Sequence, residues 1–217
     1  MLYNKSITFI EEDLQAGTAA AGEESAYYSA EQAFIENLRA GDAQAFDLFT
    51  TRYSADIYAL LYRLTQDPDE AGDLTQDTFL RAFRSIKKFR GDSELKTWLF
   101  RIAINESRNK FRWWKRRRRD KTVSLDEPIS DSSLSVQETL AGSGRDPEQA
   151  LLDDEYRHAL YSALGKLPDV FREALVLCDI EGQSYQEIAA ILEINIGTVK
   201  SRIARGREEL RKQLRDY

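Results

Sequence analysis

Cysteine, histidine and methionine each occur only once in the 217 residues, as Cys178, His158 and Met1. A lone thiol cannot form an internal disulfide, which excludes a disulfide-stapled fold and fits a reducing compartment. No spacing of residues resembles a set of metal ligands or an activated nucleophile, so we expect no metal, no cofactor and no enzymatic activity. His158 and Cys178 are predicted to be structural. A metal-dependent nuclease is the enzymatic alternative, and a cleavage assay would reveal it.

Long hydrophobic runs are also missing. No stretch approaches the 18 or more apolar residues that a membrane-spanning helix needs, and residues 1–10 hold a single Lys5 and no apolar core like that of a signal peptide. Hydrophobic residues make up 42% of the chain and its mean hydropathy is -0.54, which predicts modest hydrophobic cores. We therefore expect a cytoplasmic protein with no membrane contact of its own.

The alternation of apolar and polar residues that is typical of β-strands is absent as well, whereas helical spacing recurs from residue 31 onward. Asp42, the pair Asp67-Pro68 and Ser93 are predicted helix starts. They precede a helix whose apolar stripe extends from Phe46 to Leu64, a helix to about Lys87, and a helix over 94 to about Arg118. The fold class is predicted to be all-α.

Composition divides the chain into four segments. Residues 1–30 lack sustained periodicity, and residues 120–146 are rich in Ser, Asp, Gly and Pro, as linkers are. We predict an N-terminal extension over 1–30, a first helical domain over 31–119, a flexible linker over 120–146 and a second helical domain over 147–217.

Positive charge is concentrated in two places, although the formal net charge is -6. Nine of the fourteen residues over 108–121 are Lys or Arg, and seven bases face three acids over 200–217. Such clusters in an acidic chain suggest local contacts with a polyanion such as DNA. A solvated helix face is the alternative explanation.

The helix predicted over 94–118 has a polar face beside its buried stripe. At 100° per residue, one arc collects an aromatic, two amides and three guanidinium groups: Trp98, Arg101, Asn105, Arg108, Asn109 and Arg112. Asn and Arg can contact base edges and phosphates, and an aromatic ring can stack on an unpaired base. For Trp98 alone, a place in the hydrophobic core is an equally good interpretation.

The pattern over 184–207 is typical of a helix-turn-helix. Ser184 and Glu187 form a Ser-x-x-Glu capping box, Gly197 is predicted in the turn, and Thr198 is predicted to cap the second helix. Val199 and Ile203 face inward, which leaves polar residues outward for the major groove. An ordinary helical hairpin is the structural alternative, and a stand-alone helix-turn-helix regulator is the functional one.

Four strings, taken in order, resemble the bacterial RNA polymerase sigma factors of the extracytoplasmic-function type, which are sigma-70-like and form group 4. They are DLTQDTFLRAF (73–83), FRGDSELKTWLFRIAINESRN (89–109), LPDVFREALVL (167–177) and SYQEIAAILEINIGTVKSRIARGREEL (184–210). The resemblance covers roughly residues 31–118 and 148–215. It implies a sigma-2 domain for the polymerase clamp and the minus-ten element, and a sigma-4 domain for the minus-thirty-five element and the polymerase flap.

The resemblance also implies site residues and partners. The partners are the RNA polymerase core, promoter DNA and an anti-sigma factor. The polymerase-binding residues would be Asp73, Gln76, Asp77, Phe79 and Leu80. The minus-ten contacts would be Phe89, Arg90, Gly91, Asp92, Ser93, Trp98, Arg101, Asn105, Arg108, Asn109 and Arg112. The minus-thirty-five contacts would be Thr198, Lys200, Ser201, Arg202, Ala204 and Arg205. The N-terminal extension and the basic run Arg116–Arg119 exceed the family pattern, and the resemblance gives neither a role.

Overall fold

A computed structural model describes residues 30–120 and 159–215, and these residues form helices, turns and loops without any strand. The predicted all-α fold is confirmed. The α-helices are α1 (described over 30–40), α2 (Ala43–Thr65), α3 (Pro68–Ser85), α4 (Leu95–Asp120), α5 (described over 159–166), α6 (Asp169–Leu175), α7 (Tyr185–Leu192) and α8 (Ile196–Gln213). A 3-10 turn, Ile86–Lys88, follows α3, and a π-helical turn, Val176–Ile180, follows α6.

Two of the three predicted helix starts are confirmed by their hydrogen bonds. The Asp42 carboxylate accepts the backbone N–H of Gln44 at 2.8 Å, and the Asp67 carboxylate accepts that of Glu70 at 2.9 Å. The third prediction was wrong. The Ser93 hydroxyl donates to the Glu94 carbonyl at 3.4 Å instead of accepting an N–H group, and α4 begins at Leu95.

The described residues divide into two compact units. The first contains α1, the α2 segment as far as Tyr53, and residues 83–89. Its core consists of Leu38, Ala45, Phe49, Tyr53, Ile86 and Phe89. Aromatic rings supply much of the packing, since Phe46 meets Phe83 edge-on with ring centroids 4.6 Å apart. Edge-on pairs of this kind add to the stabilisation from area burial.

The second unit contains residues 54–82 and everything described from Arg90 onward. In its N-terminal part, fully buried side chains come from α2, α3 and α4: Ile57, Leu60, Leu61, Leu74, Leu99, Phe100 and Ile104. Thr78 is also buried, and its hydroxyl donates to the Leu74 carbonyl at 2.6 Å, so no polar atom of that side chain is left unpaired.

In the C-terminal part of the same unit, α8 packs closely on α6. A Cβ atom added to Gly206 would lie 3.3 Å from the Phe171 carbonyl oxygen and 3.3 Å from Leu175 Cδ1. The absent side chain therefore permits the close approach of the two helices. Val199 and Ile203, which precede Gly206 on α8, are also buried, as the helix-turn-helix pattern predicts.

The predicted extension over 1–30 and linker over 120–146 lie almost entirely outside the described residues, as does the predicted start of the second domain at 147. Those boundaries stay predictions.

Candidate nucleic-acid interface

The capping box at the start of α7 forms as predicted. The Ser184 hydroxyl accepts the Glu187 N–H at 3.3 Å, and the Glu187 carboxylate accepts the Ser184 N–H at 2.7 Å. Because both exchanges satisfy donors that the helix itself cannot pair, the first helix of the motif has a fixed start.

The turn between α7 and α8 differs from the predicted one. The left-handed residue is Glu193, with φ of 56°, and Gly197 already belongs to α8. Asn195 caps α8, since its side-chain oxygen accepts the Thr198 N–H at 2.8 Å and the Thr198 hydroxyl at 3.0 Å. The left-handed residue therefore lies four positions before Gly197, and the cap lies three positions before Thr198, so both predictions were wrong. A short amide at 195 reaches the N–H three residues ahead, so α8 begins earlier.

The outward face of α8 is polar and accessible. Lys200, Ser201, Ala204 and Arg205 are exposed, whereas Thr198 and Arg202 are half-buried. Ser201 donates its hydroxyl to the Thr198 carbonyl at 2.9 Å. All six predicted contacts for the upstream element thus lie on one helix, with the four exposed residues at steps of one, three and one along the chain. Small residues at 201 and 204 would allow the helix to approach base edges closely.

Arg207, on the same helix, is already paired. Its Nε and Nη2 atoms donate to the Asp179 carboxylate at 3.0 and 2.5 Å. The hydrogen bond from Arg207 holds the pKa of Asp179 below its ordinary value. Cys178 lies 3.8 Å from Arg207 Nη2, and burial is the first cause of the raised pKa of its thiol. These residues fix α8 to the segment that follows α6.

The predicted polymerase-binding residues lie along α3. Asp73, Gln76, Asp77 and Leu80 are exposed, and Phe79 is half-buried. Leu80 leaves 53% of its surface accessible, whereas Leu74 and Ala82 on the same helix are buried. Asp73 lies 3.5 Å from Lys110 Nζ. The helix thus combines a buried stripe with an acidic face that includes one apolar anchor.

In the loop after the 3-10 turn, three of the residues predicted to contact the minus-ten element are exposed to solvent. Arg90, Gly91 and Asp92 are exposed, and Arg90 pairs with Asp92 at 3.2 Å. Gly91 has φ of 83°, a conformation that favours glycine. Ser93 is half-buried, and Phe89 is 5% exposed and belongs to the core of the first unit.

The polar face of α4 is only partly exposed. Trp98 is 6% exposed, so it occupies the core, which was one of its two interpretations. Arg101, Asn105 and Arg108 are half-buried, while Asn109 and Arg112 are exposed and share a 2.6 Å hydrogen bond. A stacking role for Trp98 would require its ring to move out of the core.

Glu173 is a residue that sequence reasoning missed. Its carboxylate accepts Arg108 Nε at 2.8 Å and Arg108 Nη2 at 2.5 Å, and its side chain is 8% exposed. The two residues are 65 positions apart in sequence. No local pattern in the sequence indicates this pair. Around Glu173 the sequence shows only the apolar periodicity of a helix, which says nothing about a partner 65 residues away.

Further along α4, Arg117 stacks over the Trp113 ring, with its guanidinium carbon 4.7 Å from the ring centroid. Trp113 and Phe111 are each 45% exposed. The basic segment therefore ends in an accessible surface of mixed aromatic and cationic character.

Residues 30–120 and 159–215 contain no group of three or more His, Cys, Asp or Glu side chains arranged to hold a metal ion. None of the helices formed by those residues combines the length and the apolar character required to span a bilayer.

Comparison with known proteins places both halves of this interface in one family. A family model described as sigma-70 region 2 matches residues 49–119, and one described as sigma-70, region 4 matches residues 157–210. The chain is 37% identical over 187 residues to the RNA polymerase sigma-H factor of Pseudomonas aeruginosa, covering 85% of this chain and 93% of that protein. It is 35% identical over 185 residues to the ECF RNA polymerase sigma-E factor of Escherichia coli K12, covering 83% and 92%.

Solved structures give the same result. The sigma factor RpoE from Bartonella quintana, solved with the anti-sigma factor NepR, is similar with a TM-score of 0.62 and 30% identity, over 79% of this chain and 98% of that one. CnrH, solved with the cytosolic domain of CnrY, gives a TM-score of 0.59 and 25% identity, over 85% and 97%. These matches include the exposed face of α8, the acidic face of α3 and the basic α4. The chain therefore belongs to the extracytoplasmic-function branch of the sigma-70 family, the transcription initiation factors that recognise promoters.

Proposed function

We propose that this sigma factor docks on the polymerase core through α3, holds the opened minus-ten element with α4 and the preceding loop, and reads the minus-thirty-five element with α8. One observation supports the assignment above all. Helices α3 and α8 each bury one side and expose a chemically distinct face, acidic on α3 and basic with small residues on α8. The buried residues are Ala71, Leu74, Thr78 and Ala82 on α3, and Val199, Ile203 and Gly206 on α8. Under this proposal the domains are sigma-2 over 31–119 and sigma-4 over 147–217, joined by a linker over 120–146.

Sequence reading is assigned to Arg205 with Lys200, Ser201 and Ala204. A guanidinium group can donate two parallel hydrogen bonds to guanine O6 and N7, which an ammonium group cannot reproduce. Arg205 is exposed at the middle of α8, one turn after Lys200 and Ser201, which lie in the N-terminal half that meets base edges in a recognition helix. Each such pair contributes about 1–3 kcal/mol of discrimination between bases.

The test is transcription by holoenzyme from a promoter library randomised in the upstream element. We expect Arg205→Ala to relax the preference at one or two base pairs. The matched variant is Arg211→Ala, which removes the same charge from an exposed site further along α8 and should lower output evenly across sequences. A uniform loss for Arg205→Ala, with the wild-type base preferences retained, would mean that Arg205 contacts only the DNA backbone.

Docking on the core polymerase is assigned to the α3 face of Asp73, Gln76, Asp77, Phe79 and Leu80. Because Asp77 is exposed, Asp77→Arg should leave the helix folded while it reverses a charge at the interface. We expect weaker co-purification with core polymerase. Glu36→Arg, a charge reversal at an exposed position of α1, is the control and should co-purify normally. Equal retention of both variants would refute the assignment.

Capture of unpaired DNA is assigned to residues 90–93 and to the accessible polar side chains of α4. Extruding a base from the duplex costs a few kcal/mol of stacking and pairing, and contacts to the free strand offset that cost. Replacement of residues 90–93 by alanine should therefore reduce open complexes on duplex promoters more than on a template melted beforehand. Equal loss on both templates would indicate that the loop serves only the fold.

One of the similar structures contains an anti-sigma factor, NepR with RpoE, and another contains the cytosolic domain of CnrY with CnrH. We infer that this chain also binds an anti-sigma protein, that it acts in the cytoplasm, where polymerase is, and that it has no catalytic role of its own. A candidate anti-sigma protein should block transcription when it is added before core polymerase and should have a smaller effect when it is added afterwards.

A further inference from the structure

Arg108 and Glu173 join the two sequence regions that match sigma-70 regions 2 and 4. Arg108 belongs to α4 and Glu173 to α6, and both lie in the same compact unit. The contact is bidentate, at 2.8 and 2.5 Å, and the Glu173 side chain is 8% exposed. A planar guanidinium facing a carboxylate through two parallel bonds is the strongest ion-pair geometry available to arginine.

Further contacts join the same two regions. Arg63 of α2 pairs with Glu181 at 2.6 Å. Tyr62 meets Tyr161 edge-on with ring centroids 6.0 Å apart. Gly165 lies against Gln66, since a Cβ at 165 would be 3.4 Å from Gln66 Cγ. Two ion pairs and one aromatic contact therefore hold the two regions together. In each ion pair the base belongs to the N-terminal region and the acid to the C-terminal region.

The two pairs differ in strength. The hydrogen bond to Glu173 is the main reason that the pKa of Arg108 is raised, and Glu193 of the same C-terminal region raises it further. By contrast, burial raises the pKa of Glu181 more than Arg63 lowers it. Desolvation thus outweighs the attraction in the second pair. The Arg108–Glu173 pair makes two hydrogen bonds where the Arg63–Glu181 pair makes one, so by geometry it is the stronger link between the regions.

That pair has a consequence for DNA binding. Arg108 is one of the residues assigned above to the minus-ten element, and the Glu173 carboxylate occupies the Nε and Nη2 donors that a DNA phosphate would use. One guanidinium edge cannot bind both groups at once. A phosphate that binds this same edge of Arg108 must therefore break the link to Glu173, and by linkage the link must lower the affinity for that phosphate.

We propose that Glu173 acts as an internal competitor of promoter DNA: in the closed form, defined by the Arg108–Glu173 bond, it withholds Arg108 from the DNA, and opening of that bond precedes promoter binding. The inference rests on the proposed function, because it takes Arg108 to be a DNA contact. The proposal gives α6 a role that differs from the reading of DNA by α8, because Glu173 of α6 regulates the access of DNA to Arg108 of α4.

Closure is measured first, on the full chain. Fluorescence energy transfer is recorded between dyes at Asp69→Cys and Arg215→Cys, both exposed positions, in a Cys178→Ser background that removes the native thiol. We expect Glu173→Gln to lower the transfer efficiency. Glu36→Gln, which removes one exposed carboxylate from α1, should leave it unchanged. Arg108→Glu and Glu173→Arg should each lower the efficiency, and the double charge swap should restore it.

DNA affinity is measured next, with unlabelled free chain and a promoter fragment already opened across the minus-ten element. Such a fragment can be chosen by mapping transcription start sites after overexpression. We expect Glu173→Gln to bind roughly fivefold more tightly or better, the lower end of typical coupling between sites. Glu36→Gln should bind like the wild type. Circular dichroism establishes that each variant retains its helices.

Unchanged transfer efficiency in Glu173→Gln would overturn the inference, and so would lowered efficiency with unchanged DNA affinity. Arg108→Ala in assembled holoenzyme separates this failure from failure of the proposed function. If open complexes are unaffected by Arg108→Ala, the assignment of Arg108 to DNA is wrong and the inference falls with it. If open complexes depend on Arg108 but Glu173→Gln gains no affinity, only the internal competition is disproved.

Discussion

At the scale of single residues, arginines of similar appearance in the sequence have different surroundings. Arg205 is exposed and available to DNA, Arg207 is held by Asp179, and Arg108 is held by Glu173. Exposure alone does not distinguish the three arginines, because Arg207 is also accessible. The acidic partners distinguish them: Asp179 lies 28 residues from Arg207 in the chain, and Glu173 lies 65 residues from Arg108.

The Asp179–Arg207 pair predicts a specific pH dependence. The folded pKa of Asp179 is lowered from its ordinary value of 3.8, first by the hydrogen bond from Arg207. The pair therefore contributes stability above the unfolded pKa, and this contribution is lost as pH falls through the lower folded pKa. Arg207→Gln should lower the free energy of unfolding by about 0.2–1 kcal/mol at neutral pH, the range for exposed pairs, and by less below about pH 4, near the ordinary carboxyl pKa.

Urea denaturation between pH 3 and 7 would measure this difference. Arg211→Gln removes the same charge from an exposed position of α8 and should show no comparable pH-dependent loss. A deficit for Arg207→Gln that persists unchanged at pH 3 would mean that the side chain stabilises α8 by packing and not through Asp179.

Asn195 provides a second prediction at this scale. Its side-chain oxygen accepts both the N–H and the hydroxyl of Thr198 at the start of α8. Asn195→Ala should cost about 0.5–2 kcal/mol of stability and should weaken upstream-element binding, because the first turn of α8 loses its cap. Asn195→Asp retains an acceptor and should preserve both. Identical unfolding curves for Asn195→Ala and the wild type would contradict the capping role.

At the scale of helices, the sequence was sufficient where the signal was local. The all-α fold, the α3 and α4 spans to within a few residues, and the capping box of α7 follow from periodicity and cap chemistry over a few positions. The predicted start of α8 was misplaced because Asn195, Gly197 and Thr198 are all residue types that occur at helix N-caps. Only the backbone geometry shows that Asn195 is the cap. The burial of Trp98 depends on neighbours that its own helix does not contain.

The site was predictable only in part, for the same reason. The exposed faces of α3 and α8 follow from helical spacing, and the structure leaves them accessible. Partners distant in sequence, such as Glu173 for Arg108 and Glu181 for Arg63, have no local signature. Whether each predicted residue binds DNA or polymerase stays a prediction that the experiments above address.

Two glycines within helices provide a matched prediction at this scale. A Cβ at Gly72 of α3 would meet no atom within 4 Å, whereas one at Gly206 of α8 would meet the Phe171 carbonyl and Leu175 at 3.3 Å. Gly72→Ala should stabilise the protein by about 0.5–1 kcal/mol, the gain from replacing a mid-helix glycine. Gly206→Ala should destabilise it, since the rigid α6 backbone cannot move away freely.

Thermal unfolding of the two glycine variants beside the wild type would measure both effects. Upstream-element binding should follow the same order, because the α6 contact positions α8. If Gly206→Ala is as stable as Gly72→Ala, the close approach of α6 and α8 does not limit the side chain at 206.

At the scale of the whole molecule, we expect the distribution of charge to decide when DNA is bound. The chain has a formal net charge of -6, yet its bases gather on α4 and α8. Free duplex therefore meets overall repulsion together with local attraction, and only a partner that brings the basic faces to the DNA favours the second. This arrangement suits a factor that acts within the polymerase and not a stand-alone regulator.

A gel-shift comparison tests that conclusion. Holoenzyme should shift a promoter duplex at moderate salt, while the free chain at the same concentration should not. The holoenzyme shift should weaken as salt rises, because counterions return to the phosphates. A discrete shift of promoter duplex by the free chain alone would favour the stand-alone helix-turn-helix alternative.

The division of labour within α8 also has an evolutionary consequence. Val199, Ile203 and Gly206 anchor the helix, while Ser201 and Ala204 are exposed. Substitutions at exposed positions of this kind typically change stability by no more than about 0.5 kcal/mol. Under the proposed function, a duplicated copy of this gene could therefore acquire a new set of target genes through a few changes at 201, 204 and 205, with each intermediate still folded. The same freedom would let an engineer build sigma factors that ignore one another's promoters on an unaltered scaffold.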